Sequence, residues 1–138
     1  MPKTIFAVND DMDRLEEYQS ILLPKLKGLP TIDREYTLRM FRNPWSAYYE
    51  MIMARPGPDL LITAFDFDGH PLMGGPTLIR EVYKLGSRTK FIMSDAMHES
   101  NMRPTLDELK KDGIDVEYIP YYSAENDLGN LVKSLIGE

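Results

Sequence analysis

The sequence predicts an α/β fold: a five-stranded parallel sheet covered by helices on both faces, a three-layer α/β/α sandwich. Short apolar runs of strand length alternate along the chain with segments whose apolar residues recur at helical spacing. Several of the runs are apolar throughout, as strands covered on both faces are. At 138 residues the chain has the length of one domain with a single well-formed core, and a single domain over 1–138 is expected.

Thr4-Ile5-Phe6-Ala7-Val8 reads as a first, buried strand ending in Asn9-Asp10-Asp11, residue types that cap helices. The helix that follows carries Leu15, Tyr18, Leu22 and Leu26 on one face, and Gly28 and Pro30 stop it. Tyr36 to Phe41 is a second strand, partly alternating in polarity and so expected at an edge. Asn43-Pro44 then places an N-cap before a proline at the first helical position, where no amide donor is needed. That helix presents Tyr48, Met51 and Ile52 and finishes before Pro56. Leu60 to about Ala64 is the third strand. After a loop rich in Asp and Gly, Leu78, Ile79 and Val82 mark a third helix closed by Gly86. Phe91-Ile92-Met93 is the centre of a fourth strand. Pro104 fits a fourth helix only within its first turn, and Thr105-Leu106-Asp107-Glu108 offers a later start as a capping box. Val116-Glu117-Tyr118-Ile119 is the fifth strand. Ser123 is placed to cap a last helix with the stripe Leu128, Leu131, Val132 and Leu135.

Composition narrows the function. A net charge of −6 argues against nucleic acid or an anionic membrane surface as the main partner. The absence of cysteine removes disulfides, thiolate metal sites and cysteine nucleophiles. No apolar run approaches the roughly 20 residues of a membrane helix, and the N-terminus enters a strand without signal-peptide anatomy. A cytoplasmic protein is the expectation.

The chemistry-bearing residues lie where strands end. Pro58-Asp59-Leu60-Leu61-Ile62-Thr63 discharges into Ala64-Phe65-Asp66-Phe67-Asp68-Gly69, and in open α/β sheets the carboxyl ends of parallel strands are where ligands gather. Other landmarks accompany it in order: Asn9-Asp10-Asp11 after the first strand, Pro71, Gly74 and Gly75 before Leu78-Ile79-Arg80-Glu81-Val82, then Phe91-Ile92-Met93-Ser94-Asp95-Ala96 and Gly113-Ile114-Asp115-Val116-Glu117-Tyr118-Ile119-Pro120. In their order and spacing the whole chain resembles the receiver domain of bacterial two-component response regulators, a flavodoxin-like fold.

The resemblance implies strand order 2-1-3-4-5, an acidic Mg²⁺ pocket at the sheet's carboxyl edge, and phosphorylation of an aspartate by a partner histidine kinase. Here the phosphorylation machinery departs from the family's pattern. Counting from Pro58-Asp59 puts Ala64 at the acceptor position, and an alanine forms no acyl phosphate. Counting back from Gly75 lands near Phe67, between Asp66 and Asp68, so the turn is longer than usual and Asp66 is the nearest substitute. The family's lysine after the fifth strand reads as Tyr121, which removes a cation that phosphoryl transfer uses. The hydroxyl residue after the fourth strand maps to Ser94 or, one residue on, to Asp95. Asp10, Asp11 and Asp66 form a candidate Mg²⁺ set, against the alternative that one of the first two caps the helix. Tyr118 matches the aromatic that many receivers rotate between states. Tyr118, Tyr121 and Tyr122 lie on the side made by the fourth helix, fifth strand and fifth helix, the family's partner surface.

The expectation is a receiver-like protein of phosphorelay signalling, not an enzyme and with no attached output module, that binds a histidine kinase or another signalling protein. A homodimer through the same side is a candidate assembly. One alternative stands beside it. Asp66-Phe67-Asp68-Gly69 is similar to the Asp-x-Asp-Gly motif of haloacid-dehalogenase-type phosphatases, in which the first aspartate is nucleophile and the second acid/base, and Ser94 would match that family's second motif. His70 stands where that family has threonine, and the motif follows strand three instead of opening the chain.

Overall fold

The structure is a computed structural model that describes residues 3–23, 36–53, 57–86 and 88–137. Strands and helices alternate as β1 (Lys3–Val8), α1 (Met12–Leu22), β2 (Tyr36–Phe41), α2 (Pro44–Met53), β3 (Leu60–Thr63), α3 (Gly75–Lys84), β4 (Lys90–Asp95), α4 (Glu99–Lys111), β5 (Val116–Pro120) and α5 (Tyr121–Ile136). All strand pairs are parallel and the order is β2-β1-β3-β4-β5. The partly alternating β2 is an edge strand, as its pattern requires.

Side chains alternate across a strand, and that alternation sorts the core into two layers. Phe6, Val8, Leu61, Phe91 and Met93 meet α2, α3 and α4 through Ala47, Met51, Leu78, Ile79, Val82, Met102, Leu106 and Leu109. Ile5, Ala7, Leu60, Ile62, Ile92 and Ile119 meet α1 and α5 through Leu15, Tyr18, Leu22, Ala124, Leu128, Val132 and Ile136. The central strand β3, Leu-Leu-Ile-Thr, is buried at every position because both faces are covered.

Local signals place most element ends. The Asn43 side chain accepts from the Trp45 amide at 2.8 Å, and Pro44 opens α2. Gly86 closes α3 at a φ of +74°, a conformation glycine adopts without a Cβ penalty. Leu26, Gly28, Pro30 and Pro56 lie outside the described residues.

Two helix starts differ from expectation. Helix α4 begins at Glu99, capped by the His98 ring, which accepts from the Ser100 amide at 3.1 Å. Pro104 is therefore in the second turn, and Thr105 is inside the helix instead of capping it. The early start buries Met102 against the sheet, and a Glu99–Arg103 pair one turn apart supports it. Helix α5 begins at Tyr121 directly after β5. Ser123 lies in its first turn, where its hydroxyl donates to the Pro120 carbonyl at 3.2 Å instead of capping an amide.

Candidate functional site

The carboxyl ends of β1, β3 and β4 adjoin, and four aspartates gather there. Asp10 follows β1; its carboxylate accepts from the Asp68 amide at 3.0 Å, and its carbonyl accepts from Arg42 Nη2 at 3.2 Å. Asp95 ends β4, where Oδ2 accepts from the Phe65 amide at 3.0 Å and Oδ1 from the Ala96 amide at 2.7 Å. Asp66 and Asp68 are exposed on the connection between β3 and α3. The Asp66 carboxyl is raised above the ordinary carboxylate range, first by partial burial and then by the charges of Asp95, Asp10 and Asp68. The groups that shift it are thus all anionic.

Asp11 takes the capping role instead of joining this group. Its backbone is extended, Oδ1 accepts from the Asp13 amide at 2.9 Å, and its negative charge sits at the start of α1.

Strand alternation separates Ser94 from Asp95. Ser94 is fully buried on the α1/α5 side, facing the Tyr18 hydroxyl without an aligned hydrogen bond, so it lies away from Asp66. The residue at the end of β4 that reaches the acidic group is Asp95, which adds a charge where the register with Ser94 would have put a neutral hydroxyl. Ala64 directly follows β3, only 2% exposed, with its amide on the Val8 carbonyl at 3.2 Å.

Tyr121 opens α5 beside β1. Its hydroxyl accepts from Asn9 Nδ2 at 2.8 Å, and the Arg14 guanidinium lies 4.0 Å from its ring centroid. Burial raises the phenol, and the Asn9 bond opposes that. Asn9 also accepts from the Asp11 amide at 2.9 Å, tying the start of α1 to the start of α5. The sequence marks Asn9 as capping material and as part of the landmark after the first strand, but does not link it or Arg14 to Tyr121, which is more than a hundred residues from both. Tyr118 donates to the carbonyls of Asp95 and Met97, and burial together with the Asp95 charge pushes its phenol up to about 12. Tyr122 is 69% exposed.

The donor chemistry does not fit the Mg²⁺ set of Asp10, Asp11 and Asp66. Asp11 gives one carboxylate oxygen to the cap of α1, and Asp10 gives one to the Asp68 amide. Among the described residues no three His, Cys, Asp or Glu side chains come together to hold a metal ion.

No family model matches the chain, and no curated protein does. Solved structures do. The signal receiver domain of an HD domain-containing protein from Pseudomonas fluorescens Pf-5 is similar at 19% identity and a TM-score of 0.74, over 98% of this chain and 87% of that one. A response regulator receiver domain protein from Clostridium thermocellum is similar at 15% identity and 0.73, over 97% and 94%. A structure of the P1 domain of CheA3 in complex with CheY6 from R. sphaeroides is similar at 19% identity and 0.67, over 99% and 98%. The fold of this chain is the response-regulator receiver fold. Among the described residues no helix is long and apolar enough to cross a membrane.

Proposed function

We propose that the chain is a receiver-like module of phosphorelay signalling that acts by binding another protein and whose phosphoacceptor site is degenerate. The observation that carries this reading is Ala64. It is buried directly after β3, in the acceptor position by the receiver resemblance, and its methyl group offers no oxygen for phosphoryl transfer. Two further observations support it. Tyr121, in the family's lysine position, carries no positive charge and has its hydroxyl engaged by Asn9. Asp66, the nearest substitute acceptor, is surrounded by carboxylates that oppose the charge a phosphoryl group would add.

The partner is a histidine kinase or another cytoplasmic signalling protein, in line with the CheA3–CheY6 complex among the fold's neighbours. Its docking side is α4-β5-α5, where Tyr122 is exposed and Tyr118 and Tyr121 are partly so, and a homodimer would use the same side.

Incubation with acetyl phosphate and Mg²⁺, followed by intact-mass measurement, tests the reading. The expected result is no adduct. A gain of about 80 Da, one phosphoryl group, that disappears in Asp66→Asn would make Asp66 a working acceptor and overturn the degenerate-site reading. Steady hydrolysis of a phosphomonoester, lost in Asp66→Asn, would favour the phosphatase chemistry of the Asp66-Phe67-Asp68-Gly69 motif instead.

A further inference from the structure

The connection between β3 and α3, residues 64–74, is long and carries two exposed aspartates, yet it is tied down along its length. Phe67 and Met73 are 5% and 2% exposed and belong to the core layer under α2, α3 and α4. Its end is fixed by the Gly75 amide on the Phe65 carbonyl at 2.7 Å. That approach is so close that a Cβ on Gly75 would stand 2.0 Å from the Ala64 carbonyl oxygen. Between these apolar and backbone ties, two backbone amides of the connection reach outward to carboxylates on either side. The Phe65 amide goes to Asp95 at the end of β4, and the Asp68 amide to Asp10 at the end of β1, both at 3.0 Å.

We infer that this connection is a docked strap across the carboxyl edge of β3, and that Asp10 and Asp95 are its positioning residues, not cation ligands. A carboxylate accepting a backbone amide makes a charge-assisted bond stronger than a neutral one. Asp95 gives both of its oxygens to backbone amides, those of Phe65 and Ala96, and Asp10 gives one of its two to the strap. The buried Phe67 and Met73 rings and chains supply the second hold, so the strap stays seated without an ion. This inference stands apart from the partner-binding reading, because it concerns what holds residues 64–74 and not whether a phosphoryl group is accepted.

Amide hydrogen exchange followed by NMR on the full chain tests it. In the wild type without metal, the Asp68 and Phe65 amides are expected to be protected. Asp10→Ala should speed exchange at Asp68 by about tenfold or more, in proportion to the opening it permits. Asp10→Asn, which keeps an acceptor oxygen, should restore most of the protection. Asp95→Ala and Asp95→Asn should do the same at Phe65. Unprotected amides in the wild type, or equal loss in Asp10→Asn and Asp10→Ala, would overturn the inference. A second measurement needs no variant. Millimolar MgCl₂, compared with NaCl at matched ionic strength, should leave both amides unchanged. Saturable shifts with faster exchange at both would show that Asp10 and Asp95 serve an ion. An acyl-phosphate adduct would undo the degenerate-site reading while leaving these exchange results as they are.

Discussion

Asp66 sits exposed at the sheet edge with Asp95, Asp10 and Asp68 around it, and no opposite charge contributes to its shift. Its carboxyl titrates higher in the folded chain than in the unfolded one. Folding therefore gains from this group when it is protonated, a gain complete below the ordinary aspartate range and lost as pH rises through the elevated folded value. At pH 7 the ionised Asp66 works against the fold. Asp66→Asn removes the charge and keeps the shape, so its melting temperature at pH 7 should exceed the wild type's by about 1–3 °C, a modest amount because solvent screens an exposed group. The advantage should shrink toward nothing as pH falls to about 3, below the ordinary aspartate range, where the wild-type carboxyl is largely neutral in both states. Melting curves at pH 7 and pH 3 decide this. An advantage that persists at the lower value would mean that the charge is not the cause.

Helix α4 shows how far local signals reach at the level of the element. Pro104 lies in its second turn, where the missing N–H leaves the Ser100 carbonyl without its helical donor. The proline is exposed, so that carbonyl can be served by water and little packing depends on the ring. Pro104→Ala should therefore stabilise the protein by about 1–3 kcal/mol, as the helix recovers a bond and loses a clash. A urea midpoint shifted upward at unchanged slope is the expected measurement. A reading confined to proline's rule put the helix start too late, because Met102 burial and the His98 cap outweigh it. The strands were legible, since β3 and β4 are short apolar runs whose only sensible place is a covered sheet. The same covering hid which of Ser94 and Asp95 faces the acidic group, because a strand buried on both sides shows no alternation to read. The roles of Asp10 and Asp95 were not legible either. Their amide partners stand 58 and 30 residues away, and only the assembled sheet edge brings them together.

At the scale of the whole molecule, one parallel sheet stands between two apolar layers that touch it from opposite sides. Ile79 on α3 belongs to one layer and Leu128 on α5 to the other, both fully buried, and they share no layer of neighbours. Substitutions at sites without common partners add, whereas those that share a cavity do not. Ile79→Val should cost about 0.5–1.5 kcal/mol and Leu128→Ala about 2–5 kcal/mol, through lost transfer energy and the cavity left behind. The double variant should equal their sum to within about 0.5 kcal/mol. Trp45, the single tryptophan, is exposed near the start of α2, whose Ala47 and Met51 join the first layer, and reports on that helix, while far-UV circular dichroism reports on all the helices. Every strand contributes side chains to both layers or bonds to one that does, so loss of either layer should dissolve the sheet that supports the other. The two probes should then give coincident urea transitions in all four proteins. A Trp45 transition that precedes the loss of helix in Ile79→Val, with Leu128→Ala showing the reverse, would mean that the layers unfold separately and that the sheet does not couple them.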